Sequence, residues 1–285
     1  MYNFIMLAQN NIESDYVLQA SLCAMSIKKT MPSSKIALIT NDVVPAAYQQ
    51  FFEHIVPIPW GDSASNSDWK IHNRWKIIHA SPFDEAVILD TDMLVLTDIS
   101  EQCRVMSNYD IFYTDSVLDY RGNIVSNDFY RKNYTKNNLP SLYTAFSYFR
   151  KSEFSFKFYE LLSQVTENWE DFYKVNGKLL QTHPSMDTTV GLVTNMLNCK
   201  ESVTAGKRSY NRPTFVHMKA NIQGWNRLSE QWRSKVGAYL NRDLDLFIGN
   251  YKQQGLFHYT EKDFIKQSFV KQYCDYHGVS YAIQS

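Results

Sequence analysis

Cysteine is scarce in this 285-residue chain, and the four present (Cys23, Cys103, Cys199, Cys274) form no C-x-x-C or zinc-type spacing. That excludes a disulfide scaffold and fits free thiols in a reducing compartment. No apolar run approaches membrane-spanning length. The apolar start Tyr2–Ala8 is too short for a signal peptide and lacks a basic leader. Neither sign of charge dominates: 29 Lys and Arg balance 29 Asp and Glu. A zero balance argues against a protein that grips nucleic acid through many phosphate contacts. There is no internal repeat, low-complexity tract or clean linker. The expectation is a soluble cytoplasmic protein (the host's cytoplasm, if viral), with the sequon Asn133-Tyr134-Thr135 unused.

Apolar residues are plentiful at 44%, enough for a full-sized core, and aromatics reach 15%. The first half alternates strand and helix patterns. Asn3–Ala8 reads as a strand, Tyr16–Ile27 as a helix, and Lys35–Thr40 as a second strand. Ala46–Glu53 reads as a helix and Ile55–Pro59 as an edge strand, given its prolines. Lys28 and Lys29 fall where cations favour a helix C-terminus, and Pro32 stops that helix. Such alternation predicts an α/β fold with a mostly parallel sheet covered by helices.

The most informative stretch is Glu85–Leu96, where the buried-strand pattern Ala86–Leu89 delivers Asp90 and Asp92 at its end. Buried carboxylates need a partner, and hard divalent cations prefer oxygen ligands. The bland alternative is a solvated turn. Ligands of parallel sheets bind beyond the carboxyl ends of the strands. Three polar strand exits, Ala8-Gln9-Asn10, Thr40-Asn41-Asp42 and Asp90-Thr91-Asp92, then share one edge and predict a nucleotide site. Asp68–Ala80 reads as a helix carrying Arg74 and Lys76 just before the acids. Residues 116–140 are polar and Tyr-rich, a long segment of the kind often used as a functional loop or lid. Ser141–Arg150 reads as a strand and Phe154–Val165 as an amphipathic helix.

Taken together, Leu38–Asp42, Arg74–Ile78 and Val87–Val95 resemble a GT-A-fold glycosyltransferase. The similarity is to the family 8 group, glycogenin- and galactosyltransferase-like. The resemblance implies a GT-A-like nucleotide-sugar-binding domain over residues 1–225. It leaves 226–285 as a helical C-terminal extension on the acceptor side. In that family the Asp-x-Asp pair holds Mn²⁺ or Mg²⁺ on the donor diphosphate, so Asp90 and Asp92 become metal ligands. Ala8, Asn10, Asn41, Arg74, Lys76, Asp90, Thr91 and Lys219 become donor contacts, with a UDP-sugar favoured. Ser185–Leu192 resembles the family's Asp-bearing helix start, making Asp187 the catalytic candidate. Thr214–Lys219 resembles its strand-His block, making His217 the third metal ligand; His258, in Leu256–Tyr259, is a rival.

The implied reaction is transfer of a sugar to a hydroxyl acceptor, with retention. The acceptor implied is a glycan. Residues 207–271 carry 12 Lys and Arg against 5 Asp and Glu, interleaved with aromatics. That basic aromatic surface gives an alternative acceptor, hydroxymethylated pyrimidines in DNA, as in bacteriophage enzymes of this kind. Further alternatives are a haloacid-dehalogenase-like phosphatase, which also opens on strand-Asp-x-Asp, and a non-catalytic nucleotide-sugar-binding module.

Overall fold

The computed structural model describes residues 1–65, 67, 70–125, 134, 137–175, 184–205, 212–218, 237–259 and 264–282. Its largest sheet has six strands in the order β3-β2-β1-β4-β8-β6. These are β1 (Asn3–Leu7), β2 (Lys35–Ile39), β3 (His54–Val56), β4 (Glu85–Leu89), β6 (Ile111–Thr114) and β8 (Tyr143–Arg150). Strands β3, β2, β1 and β4 run parallel, and β8 enters antiparallel between β4 and β6. The carboxyl ends of β1, β2 and β4 therefore share one edge, as the alternation predicts.

Strand side chains alternate across a sheet, and here the alternation separates two cores. Phe4, Met6, Ile36, Leu38, Val87 and Leu89 join one core. Ile5, Ala37, Ile39, Ala86 and Ile88 join the other. Both faces are covered, which is why these strands read as continuous apolar runs.

On the first face lies α1 (Tyr16–Thr30), started by Asp15, whose carboxylate accepts from Leu18 N at 2.8 Å. Against α1 packs α9 (Gln267–His277), which ends at Gly278 in the left-handed conformation. The His277 ring meets Met25 O at 2.9 Å. On the second face lie α5 (Glu153–Glu167) and α7 (Met186–Met196). A Cβ on Gly191 of α7 would sit 3.1 Å from the Pro140 carbonyl oxygen, so the helix approaches that backbone closely because the residue is glycine.

A second sheet, β5-β13-β9-β7, was not evident from residue pattern. It joins β5 (Met93–Val95), β7 (Leu118–Asp119), β9 (Val216–His217) and β13 (Leu256–His258). The division expected at residue 225 lies outside the described residues. The C-terminal stretch, expected to be helical, contributes a three-stranded meander (β10 Ala238–Leu240, β11 Leu246–Ile248, β12 Tyr251–Lys252), then β13 and α9. Residues 126–133 and 135–136 of the expected loop are likewise outside the described residues, and within the rest β7 extends the second sheet. The four cysteines are free and buried. No helix among the described residues is long and apolar enough to cross a membrane.

Candidate active site

The site begins where β4 ends. Asp90 N donates to Ala145 O on β8 at 3.0 Å, so the sheet fixes the backbone as the side chain leaves it. The carboxylate forms an ion pair with Arg74, both side chains being 19% exposed. Arg74 opens a 3-10 turn, Arg74–Lys76, which leads into α3 (Ile77–Ala80). Burial works against the guanidinium's charge, but Asp90, then Asp187 and Asp92, outweigh it and raise its pKa above the ordinary value.

Asp92 is positioned from the other direction, by the second sheet. Its backbone carbonyl accepts from Tyr259 N at 3.1 Å, and His258 is paired with Met93. This register sets His258 Nε2 3.1 Å from Asp92 Oδ1. Burial pushes the Asp92 carboxyl up, yet the His258 charge and hydrogen bond, with Arg74, bring it below the usual carboxylate range. Burial alone lowers His258; Asp92, then Asp90 and Asp187, raise it above the ordinary imidazole value. One ligand atom from each of Asp90, Asp92 and His258 lies within 4.8 Å of the others.

The expected third ligand, His217, is one strand away. It pairs with His258 across the parallel β9–β13 ladder, with ring centroids 5.4 Å apart and nearly perpendicular. The position beside the two aspartates belongs to His258.

Asp187 starts α7 and is held to β8: its Oδ1 accepts from Thr144 N at 2.9 Å and from Thr144 Oγ1 at 2.8 Å. Its field reaches both Arg74 and His258.

Arg74, Asp90 and Asp92 open on a cleft of about 910 Å³ at the shared strand edge, lined also by Asn10, Tyr16, Lys70 and Thr91 among others. Asn10 lines the cleft while its Oδ1 accepts from Val17 N at 3.0 Å, at the start of α1. Its N–H donates to Asp42 at 2.7 Å.

Three other expected donor contacts do not line it. Ala8 extends the β1–β2 ladder through its N–H to Ile39 O, and its methyl is in the core. Asn41 instead accepts from Ile58 N at 3.0 Å, tying down the exit of β3. Lys76 turns away: its buried ammonium donates to Gly61 O at 2.6 Å and Ser63 Oγ at 3.0 Å, where the loop carbonyl satisfies it. Lys219 lies outside the described residues.

Lys70, which residue pattern did not single out, lines the cleft and donates to Ala64 O at 2.7 Å. Asn73, fully buried, donates to Gln9 at 2.9 Å and accepts from Ser63 N at 3.1 Å, next to the Ala64 that Lys70 bonds.

No protein-family model and no curated protein matches the chain. Solved structures do. The galactosyltransferase LgtC, solved in complex with donor and acceptor sugar analogues, is 11% identical with a TM-score of 0.55. The alignment covers 99% of this chain and 98% of LgtC. The bifunctional glycosyltransferase WbbM is 12% identical with a TM-score of 0.50, over 96% of this chain and 49% of WbbM.

The fold is that of the GT-A glycosyltransferases. In a GT-A frame, the paired aspartates stand at the exit of the parallel strand β4, between the six-stranded sheet and the smaller one. At this identity the likeness is one of fold.

Proposed function

We propose that this protein is a metal-dependent glycosyltransferase that moves a sugar from a nucleoside diphosphate sugar, with a UDP-sugar favoured, to a hydroxyl of a glycan, with retention. The observation carrying this reading is the convergence of Asp90, Asp92 and His258, the two aspartates lining a cleft in a GT-A fold. Two carboxylates and one imidazole fit Mn²⁺ or Mg²⁺: the oxygens suit hard divalent ions, and histidine is a common metal ligand. When bound, such an ion supplies Lewis-acid neutralisation of charge on the diphosphate leaving group.

The chain's own groups supply the rest. Arg74 keeps its charge and holds Asp90 in orientation. Lys70 places a cation on the cleft wall, where a preorganised charge favours developing negative charge. Asp187, fixed by Thr144, is the residue we assign to the sugar hydroxyls or to catalysis. Lys219 remains in this proposal as a diphosphate contact. We place the donor on residues 1–225 and the acceptor towards 226–285, with His258 crossing that division.

A DNA acceptor is the second reading, favoured by the exposed Tyr239 and Tyr251 of the meander beside Arg242. It ranks second because Arg212 is ion-paired with Asp115 and Lys252 with Asp245, at 2.7 Å for the latter, which reduces the free positive charge. Retention on a DNA column that falls with salt would reverse the order.

The test of the main reading is release of nucleoside diphosphate from UDP-sugars in Mn²⁺ without acceptor. Slow metal-dependent release, lost in Asp92→Asn, is expected. Full turnover in that variant would remove the metal-site assignment, and release of inorganic phosphate instead would indicate a phosphatase.

A further inference from the structure

Arg74 faces the donor cleft, but the next residue, Trp75, helps line a different groove of about 840 Å³. Among the described residues four aromatic rings meet there. Trp60 and Trp75 stack with centroids 5.7 Å apart and planes 14° from parallel. His79 abuts both, and Phe156 lies 5.7 Å from His79. Among the described residues the rest of the wall is α5, whose Glu153, Phe156, Lys157 and Glu160 share one face at helical spacing.

Core packing does not explain this surface. The buried side of α5 is the Phe158, Leu162, Val165 face. Phe156 is on the outward side and 40% exposed, and Trp60 is 68% exposed. Trp60 also has a φ of 57°, a left-handed conformation uncommon for a bulky side chain. Strained residues of this kind concentrate at functional sites. A contiguous exposed aromatic patch with a polar rim is the usual mark of a binding surface.

From this groove we infer an accessory binding site for a neutral or amino-sugar oligosaccharide, outside the donor cleft. A pyranose ring presents a face of C–H bonds and a rim of hydroxyls. The exposed Trp60 indole, stacked on Trp75, offers an apolar platform for that face. The Glu153 and Glu160 carboxylates at the edge are pure acceptors when ionised, suited to hydroxyl or ammonium donors. The same two carboxylates, against the one ammonium among the described lining residues, Lys157, disfavour phosphate polymers and acidic glycans. The inference does not depend on glycosyl transfer, since it uses none of Asp90, Asp92 or His258.

The test is retention on an array of immobilised neutral, amino-sugar and acidic oligosaccharides, without donor or metal. It compares wild type with Trp60→Ala, Trp60→Tyr, Glu160→Gln and Asp92→Asn. The expected result is retention of neutral or amino-sugar chains, weakened about tenfold or more by Trp60→Ala, as for loss of an aromatic anchor. Trp60→Tyr restores much of it, which separates loss of the platform from loss of the fold. Glu160→Gln weakens amino-sugar binding most, and Asp92→Asn leaves retention unchanged. Absence of any retained oligosaccharide, undiminished retention by Trp60→Ala, or preferential capture of acidic chains would overturn the inference. Loss in Asp92→Asn with Trp60→Ala unaffected would place the glycan in the donor cleft and overturn it equally.

Discussion

Asp92 and His258 are 166 positions apart in sequence, yet the β5–β13 ladder brings His258 Nε2 to 3.1 Å from Asp92 Oδ1. The C-terminal stretch thus completes a cluster that starts on β4. His217, adjacent in the same sheet, serves as an internal control.

Removing one ligand of the cluster should therefore differ from removing its neighbour. Asp92→Asn and His258→Ala are expected to lower Mn²⁺-dependent turnover by roughly a hundredfold or more, as for groups that hold a catalytic ion. His217→Ala should lose at most about tenfold, the lower end for a supporting residue. Steady-state kinetics over a Mn²⁺ titration separates the two, and a larger loss in His217→Ala would reassign the ligand.

The pair also makes opposite predictions for stability and for metal affinity. His258 has a folded pKa above its ordinary 6.5, so its contribution is full below pH 6.5 and lost as pH rises through the folded value. Asp92 has a folded pKa below its ordinary 3.8, so its contribution is present above pH 3.8 and lost as pH falls through the folded value. Metal-free protein should be most stable between these limits, and His258→Gln should flatten the alkaline limb of a denaturation–pH profile. Mn²⁺ affinity should instead rise as pH climbs through the folded His258 value, because the ion needs a neutral imidazole and displaces its proton. Calorimetry in buffers of different ionisation enthalpy measures that proton.

Arg74→Ala should destabilise the metal-free protein by about 2 kcal/mol, since it leaves the four-fifths-buried Asp90 carboxylate without its partner. Urea unfolding measures this. Arg74→Lys should recover part of the loss, a point charge being a poor substitute for the guanidinium fork.

Lys76→Met separates support from donor contact. Loss of the ammonium removes its bonds to Gly61 O and Ser63 Oγ, both on exposed residues that water can reach, costing about 0.5–1.5 kcal/mol per bond. The KM for the donor should stay unchanged, because no uniform binding is removed. A raised KM at unchanged stability would return Lys76 to the donor site.

Much of the fold was legible because its strands are buried on both faces. Parallel strands covered twice leave apolar runs, and their exits leave polar ones, as at Ala8–Asn10 and Asp90–Asp92. The site was less legible where long-range register decides. Nothing local distinguishes His217 from His258, since both end short apolar strands, and pairing with Met93 selects one. The helix expected over 68–80 is, over its described residues 70–80, a turn followed by a 3-10 turn and α3, for a comparable reason. Asn73 uses its side chain for tertiary bonds to Gln9 and Ser63, and such side-chain bonding competes with regular helix. Lys76 read as a donor cation because burial, unlike charge, is invisible without the loop that covers it.

The most direct measurement is a thermal-shift panel of UDP-, GDP- and CMP-sugars, with and without Mn²⁺, on wild type and Asp92→Asn. A donor at about a hundred times its Kd stabilises the native state by about 2.7 kcal/mol. For a chain of this size that should raise the midpoint by several degrees. The account predicts such a shift for a UDP-sugar, dependent on Mn²⁺ and absent in Asp92→Asn. A shift of equal size without Mn²⁺, or one preserved in Asp92→Asn, would contradict it.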